Sequence, residues 1–171
     1  MHINFEFKAK AESLEAIKII LQKQNARFVG ADHQADIYFN VPAGRLKLRQ
    51  GNIENALIYY ERENVDGPKQ SNVLLYQHAP DDALLSILTK VQGIKCKVLK
   101  KRSIYFIDNV KFHLDEVEQL GTFVEVEAID ATGELGLQAI TKQCLHYAAL
   151  FNIQQQDYIH HSYSDMLLQI T

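Results

Sequence analysis

The sequence predicts an α+β protein in one domain, residues 1–171, built on a closed eight-stranded antiparallel β-barrel with helices packed outside. Three observations indicate this fold. Apolar and polar residues alternate along most of the chain, which is the two-residue period of a β-strand. Short groups of turn residues separate the alternating runs. Only three segments follow the longer period of a helix, and helices that accompany such a sheet pack on one of its faces.

Eight alternating segments are predicted to be strands: residues 3–10, 27–41, 45–50, 56–63, 72–78, 94–107, 110–117 and 122–129. Only Asp108 and Asn109 separate the sixth segment from the seventh, and a two-residue connection of this kind is typical of a β-hairpin. Other connections contain Gly, Pro or Asp, as in residues 42–44 and 66–68, and these residue types favour turns.

Three segments are predicted to be helices: residues 12–25, 81–92 and 133–151. In the first, Leu14, Ile17 and Leu21 fall on one helical face. The second begins with Asp81 and Asp82, and carboxylates interact favourably with the N-terminal end of a helix dipole. Each predicted helix has one apolar face to bury, which agrees with packing on the outside of a sheet.

Composition excludes several classes of protein. The net charge of −3 argues against a dedicated duplex-DNA binder, which carries a strong basic excess. Cys96 and Cys144 have no CxxC spacing, so neither a disulfide framework nor a structural zinc site is expected, and two reduced thiols fit a cytosolic protein. The first ten residues lack the apolar core of a secretory signal, and no apolar run approaches the ~18 residues of a membrane span. We therefore expect a cytoplasmic protein without a membrane partner.

Several predicted strands carry all their charged residues on one face. Arg45, Lys47 and Arg49 alternate with Leu46 and Leu48. The same separation places the following residues on polar faces: Glu6 with Lys8, Lys100 with Arg102, Lys111 with His113 and Asp115, and Glu125 with Glu127. Each face by itself fits an ordinary sheet with one side in solvent. Together, however, they stack basic residues on several strands, and like charges that face one another across strands repel.

A bound polyanion inside the barrel would relieve that repulsion. An eight-stranded barrel leaves room for one small ligand. The carboxylates Glu6, Asp115, Glu125 and Glu127 would then hold a hard cation such as Mg²⁺ or Mn²⁺, which prefers oxygen ligands and shares them with substrate phosphates. This arrangement turns the apolar strand faces outward, where the helices and a second copy of the chain would cover them. The outward apolar faces therefore favour a homodimer. His113 lies on the predicted inner face and is expected to be a hydrogen-bonded histidine inside the lumen.

Seven blocks in order along the chain resemble the CYTH superfamily, the triphosphate tunnel enzymes. They are Asn4-Phe5-Glu6-Phe7-Lys8, residues 34–39, 44–49, 59–62, 98–102, 113–117 and 120–127. The tail at residues 162–168 is similar to the class IV adenylyl cyclase-like branch. The family signature reads ExExK, and here Asn4 stands in place of the first Glu, which replaces a carboxylate by a neutral and weaker ligand.

The resemblance implies roles for named residues. Lys8, Lys47, Arg49, Arg62, Lys100 and Arg102 would contact phosphate oxygens, and Lys8 would also take part in catalysis. Glu6, Asp115, Glu125 and Glu127 would bind one or two divalent ions, Mg²⁺ or Mn²⁺. The implied partner is a triphosphate-containing small molecule, and no nucleic acid is expected, because stacking aromatic residues do not interleave with the basic ones.

Three functions remain open from the sequence. The first is hydrolysis of a triphosphate, whether inorganic tripolyphosphate, a nucleoside triphosphate or thiamine triphosphate, which needs only the phosphate-binding residues. The second is a class IV adenylyl cyclase reaction that makes cyclic AMP from ATP, which also needs nucleoside contacts. The third is a non-catalytic sensor of nucleotides or polyphosphate, an alternative that the Asn4 substitution keeps open.

Overall fold

Eight strands form one antiparallel sheet in the computed structural model, which describes residues 3–61 and 69–170. The strands are β1 (Ile3–Lys10), β2 (Arg27–Phe39), β3 (Arg45–Gln50), β4 (Ala56–Glu61), β5 (Lys69–Gln77), β6 (Ile94–Ile107), β7 (Val110–Val117) and β8 (Gly121–Asp130). The predicted number of strands is confirmed, and their predicted bounds agree to within a few residues.

The sheet is strongly curled, and its strand order is β1-β5-β4-β3-β2-β6-β7-β8. β1 pairs with β8 along its whole length, from Ile3 opposite Asp130 to Lys10 opposite Phe123. On its other side β1 pairs with β5 over a short stretch, residues 4–6 against residues 69–71. The β6–β7 connection is the predicted two-residue hairpin, since Ile107 pairs directly with Val110.

Across the described part of the chain, four helices accompany the sheet: α1 (Leu14–Lys23), α2 (Asp82–Gln92), α3 (Leu137–Leu150) and α4 (Tyr163–Ile170), and a short 3₁₀ helix spans Gln155–Asp157. Ser13 caps α1 by accepting a hydrogen bond from the Ala16 amide at 3.2 Å, and Asp81 caps α2 in the same way through Ala83 at 2.7 Å. Sequence periodicity does not predict α4, because two turns of helix repeat an apolar position only once. None of the helices in the described ranges has the length and apolar character that a membrane crossing needs.

The apolar strand faces point outward and meet the helices. Phe7, Phe112 and Val126 are buried in a cluster with α1 and α3, which includes Leu21 of α1 and Ile140 of α3. A second outer cluster joins α2 to β2, β3 and β4. The charged faces of these strands therefore point into the curl of the sheet, as the alternation predicts.

Helix α4 reaches the inner face at one end of the sheet. Tyr163 and Leu167 are buried against Val98, Val117 and Phe123, which are inward-facing residues of β6, β7 and β8. The two cysteines, Cys96 and Cys144, are both free. Because α4 packs on the inner face, it brings the Tyr163 ring into the interior.

The outer position of α3 predicts a stability difference between two of its residues. Ile140 is completely buried, whereas Leu145 on the same helix is 50% exposed. Ile140→Ala should lower the free energy of unfolding by about 2–5 kcal/mol, because it leaves a cavity under the helix. Leu145→Ala should change it by about 0.5 kcal/mol or less. Urea denaturation followed by circular dichroism measures both, and equal losses would contradict the outward-facing core.

Candidate functional site

A cavity of about 470 Å³ occupies the interior of the curled sheet, and all eight strands contribute to its wall. Of the residues that the structure describes, six cationic ones line it: Lys8, Lys47, Arg49, Lys100, Arg102 and Lys111. Five carboxylates line it as well: Glu6, Asp36, Glu54, Glu125 and Glu127. The interior is therefore densely charged, with cations and anions close to balance.

The structure brings most of the predicted site residues together. Lys8, Lys47, Arg49, Lys100, Arg102, Glu6, Glu125 and Glu127 all line this one cavity. Arg62 belongs to residues 62–68, which lie outside the described part of the chain. Asp115 is fully buried against Arg102, so its position differs from that expected of a metal ligand facing the lumen.

Asp36 holds three of the cations in place. Arg49 donates to both of its carboxylate oxygens, at 2.8 and 3.0 Å, in the forked geometry that Arg and carboxylate share. Lys47 and Lys100 donate to Oδ2 at 3.0 and 2.7 Å. Burial opposes ionisation of Asp36, but Arg49, Lys100 and Lys47 outweigh burial and hold its pKa well below the usual value.

Lys100 has a depressed pKa because its ammonium group is buried among other cations. Burial lowers the pKa to about 7, and repulsion by Arg102, Arg49 and Lys47 adds to the effect of burial. Asp36 acts in the opposite direction. Lys100 is thus a group whose charge responds to a new anion in the cavity at neutral pH.

Asp115 orients Arg102 from behind. Arg102 donates to its two oxygens at 2.7 and 2.6 Å, and the Tyr163 hydroxyl donates to Oδ2 at 2.8 Å. Arg102 also reaches Glu125, at 3.0 Å from Oε2. With its oxygens engaged in this way, Asp115 fixes the guanidinium that faces the cavity. The sequence places Asp115 on the correct strand face but does not reveal that Arg102 lies between its carboxylate and the lumen.

The carboxylates of β1 and β8 lie on the other side of the interior. Glu6 and Glu127 are directly opposite each other in the strand register. Burial and the nearby Glu6 raise the pKa of Glu127 to about 7. The Asn4 amide donates to Glu127 Oε1, and among the described side chains Asn4 Oδ1, which is buried, has no hydrogen-bond partner. Glu125 behaves differently, because Lys8 and Arg102 overcome its burial and keep its pKa well below normal.

These features fit a hard divalent cation. Two repelling carboxylates and an unsatisfied amide oxygen supply the oxygen donors that Mg²⁺ and Mn²⁺ prefer. Within residues 3–61 and 69–170, however, no three His, Cys, Asp or Glu side chains are already grouped as metal ligands. Further ligands would have to come from substrate phosphates or water, as is common for Mg²⁺.

His113 differs from its expected role. Neither ring nitrogen has a hydrogen-bond partner in the described structure, and Nδ1 is 3.6 Å from Glu125 Oε2, beyond hydrogen-bond distance. Burial lowers the pKa of His113 to about 4, and Arg102 and Lys111 add to this effect. The expected position of His113 inside the lumen agrees with the structure, but the expected hydrogen bond is absent from the described residues, and a neutral imidazole faces the cavity.

Sequence reasoning missed four residues of the site. Asp36, Lys111 and Tyr163 are central to it, and so is Glu54 from the loop between β3 and β4. The alternation of strand residues could have predicted two of them. Asp36 shares a strand face with Gln34 and Tyr38, and Lys111 shares one with His113. Glu54 follows no periodic pattern.

One wall of the cavity is apolar. Ile58 and Tyr60 of β4 and Val73 and Leu75 of β5 line it together with Tyr38. The charged residues come mainly from the other strands. The cavity therefore has room for a ligand with a polyanionic part and an organic part.

Comparisons with known proteins agree with this architecture. The family model described as CYTH domain matches residues 2–163. The protein named "Putative adenylate cyclase MJ0240" from Methanocaldococcus jannaschii is 24% identical over 176 residues, which cover 96% of this chain and 98% of that protein. The PH1012 protein from Pyrococcus horikoshii is 25% identical with a TM-score of 0.76, over 95% of this chain and 98% of that chain.

A further solved structure shares the fold at lower identity. It is described as "Putative adenylyl cyclase HpAC1" from Hippeastrum, with a dominant triphosphatase activity. It is 15% identical with a TM-score of 0.62, over 98% of this chain and 94% of that chain. At this identity the similarity shows the fold alone.

The position of Asp36 predicts a large effect on stability. Asp36→Asn leaves Lys47, Arg49 and Lys100 without their shared anion, so the free energy of unfolding at pH 7 should fall by about 3–5 kcal/mol. Glu116→Gln, which removes an exposed carboxylate, should cost about 0.5 kcal/mol or less. Denaturant unfolding at several pH values measures both variants.

The same variants predict a pH dependence. Because the folded pKa of Asp36 is depressed, its contribution to stability is fully present above its unfolded pKa, near ~4. It should be lost as the pH falls toward the folded pKa, so that wild type and Asp36→Asn converge in acid. A constant difference between them down to low pH would contradict this assignment.

Proposed function

Because the chain belongs to the CYTH domain family, we propose that it is a divalent-metal-dependent enzyme that hydrolyses a triphosphate inside its barrel. The observation that carries the proposal is the convergence of six cationic side chains on one cavity that also contains the Glu6–Glu127 carboxylate pair. A cavity with this charge pattern suits a polyanion that brings a hard cation with it.

The phosphate-binding residues of the proposal are Lys8, Lys47, Arg49, Lys100 and Arg102, with Arg62 as a sixth from outside the described residues. Arg49 and Arg102 offer rigid forks that match phosphate oxygens, and the lysines act as compact charges. Asp36 and Asp115 hold these two guanidinium groups in place before substrate arrives. Preorganised charges of this kind stabilise a transition state without reorganising during the reaction.

The metal would be held by Glu6, Glu125 and Glu127, with the Asn4 amide oxygen beside them. CYTH proteins generally use divalent metal ions. A bound Mg²⁺ or Mn²⁺ would polarise the phosphoryl oxygens and reduce their repulsion of an incoming nucleophile. Asp115 is assigned here to positioning Arg102 rather than to the metal.

In the proposed reaction, a water oxygen bonds to the terminal phosphorus while the bridging P–O bond on the opposite side breaks. The leaving group, pyrophosphate or the organic diphosphate, keeps the bonding electrons, the terminal phosphorus becomes orthophosphate, and the water proton passes to solvent. Lys8 lies between Glu125 and the Tyr163 ring, with its Nζ 4.0 Å from the ring centroid, and would stabilise charge on the transferring group. Closure of the sheet by the short β1–β5 pairing would exclude bulk water from these charges.

The test is an assay of the purified protein with inorganic tripolyphosphate, thiamine triphosphate and ATP, each with Mg²⁺ or Mn²⁺. We expect orthophosphate release that stops when EDTA removes the metal. Arg102→Met should lower kcat/KM by about 10²–10³-fold, as loss of a preorganised charge does elsewhere. Cyclic AMP from ATP without orthophosphate release would overturn hydrolysis, and tight binding without turnover would indicate a sensor.

Cyclisation of ATP is the second candidate, and the apolar wall favours it. An organic group carried by the triphosphate would pack on Ile58 and Leu75 while the phosphates bind the cations. Such contacts are those that a cyclase needs and that inorganic tripolyphosphate cannot use. The same wall would also suit hydrolysis of an organic triphosphate.

Two adjacent leucines of β5 test whether the apolar wall binds substrate. Leu75 faces the cavity and is 56% exposed, whereas Leu74 lies on the other strand face and is 71% exposed, so the two differ in direction rather than in burial. If an organic group packs there, Leu75→Asn should raise KM for ATP by about fivefold to thirtyfold, the equivalent of ~1–2 kcal/mol of lost apolar contact. It should leave KM for inorganic tripolyphosphate unchanged. Leu74→Asn is the matched control, and equal effects of both variants would contradict a role of this wall.

A further inference from the structure

The loop between β3 and β4 is held in one shape by hydrogen bonds. The fully buried Asp32 carboxylate accepts the backbone amides of Ile53 and Glu54, both at 2.9 Å. The Asn55 side chain bonds to the amide and carbonyl of Gly51, at 3.1 and 2.9 Å. The loop backbone therefore fixes the point from which the Glu54 side chain starts.

Gly51 allows the loop to approach Asp32 closely. A Cβ atom at this position would lie 2.6 Å from Asp32 Oδ1 and 2.7 Å from the Glu54 carbonyl oxygen, closer than side chains tolerate. The glycine thus permits the close contact between loop and strand. The consequence is that Glu54 points into the cavity rather than into solvent.

Glu54 bridges two walls of the cavity. Its Oε2 accepts from Arg49 Nη1 at 3.0 Å and from Gln34 Nε2 at 3.1 Å, and its Oε1 accepts from Lys111 Nζ. Arg49 belongs to β3 and Lys111 to β7, and these strands are separated in the sheet by β2 and β6. The contact therefore crosses the interior instead of following one wall.

The Glu54 carboxylate occupies two cations, Arg49 and Lys111, that a bound phosphate chain would otherwise contact. Burial opposes ionisation of Glu54, but Lys111 and Arg49 keep its pKa far below normal, so the group is an anion at neutral pH. A carboxylate held between an Arg and a Lys occupies the same donors that bind phosphate oxygens. Because Asp32 and Asn55 anchor the loop backbone separately, the Glu54 side chain can rotate away without unfolding the loop when phosphate oxygens take over its contacts with Arg49 and Lys111.

We propose that Glu54 determines substrate specificity as an internal anion, occupying Arg49 and Lys111 until a more highly charged polyphosphate displaces it. This inference rests on the proposed function, because it concerns the same cavity. Short anions such as orthophosphate and pyrophosphate bring too little charge to displace the carboxylate, whereas a triphosphate does so. After hydrolysis the carboxylate returns to both cations and promotes release of the shorter products.

The test measures binding rather than turnover. Calorimetric titrations of the full chain with orthophosphate, pyrophosphate and tripolyphosphate, with and without Mg²⁺, are compared for wild type and Glu54→Gln. Removing the competing charge should tighten pyrophosphate binding by about tenfold and tripolyphosphate binding by less, so that discrimination between the two falls. Glu116→Gln changes the net charge equally at an exposed site and should leave all three affinities unchanged.

Glu54→Asp is the second variant, since it keeps the charge but shortens the reach to Lys111. It should shift pyrophosphate affinity in the same direction by a smaller factor. Unchanged or weaker pyrophosphate binding in both variants would overturn the proposal, and so would failure of both to fold, which would assign Glu54 a structural role. A wild-type protein that binds tripolyphosphate without hydrolysing it would overturn the proposed function but not this inference.

Discussion

The interaction on which the rest of the structure depends is the set of ion pairs between Asp36 and the cations of β3 and β6. A sheet that turns Lys47, Arg49 and Lys100 toward one another would be unstable without an anion among them, because buried like charges repel and lose hydration. Asp36 supplies that anion from β2, the strand that lies between β3 and β6. From the sequence alone, we expected a bound polyanion to relieve the repulsion among these cations. The structure shows that the protein also carries its own counter-charges.

The inward direction of the charged side chains also determines what packs on the outside of the sheet. Each charged inner face leaves an apolar outer face, and α1, α2 and α3 pack against that surface. On β5, Leu74 and Tyr76 remain 71% and 67% exposed. The homodimer inferred from outward apolar faces stays a prediction. The same inversion lets one small domain enclose a polar cavity next to an apolar wall, and this combination suits the triphosphate substrate that we propose.

Alternation along the chain predicted most of the site because a strand residue has only two faces to choose from. Lys8, Lys47, Arg49, Lys100 and Arg102 were assigned to one interior on this basis, and they line one cavity. Depth along that face was not predictable, and Asp115 illustrates this limit, since it lies on the inner face but behind Arg102. Glu54 and helix α4 were missed because a loop has no period and an eight-residue helix repeats its apolar positions too few times.

The sequence by itself determined the eight strands, the separation of charged from apolar faces and the family resemblance, because these depend on residue order and on the period of a strand. Only the tertiary structure decided which cation faces which anion. The partners are distant in the chain and meet only when the sheet curls. Examples are the contacts of Asp36 with Lys100, of Asp115 with Tyr163, and of Glu54 with Lys111. Their pairing depends on register and curvature, which set distances that no local pattern encodes.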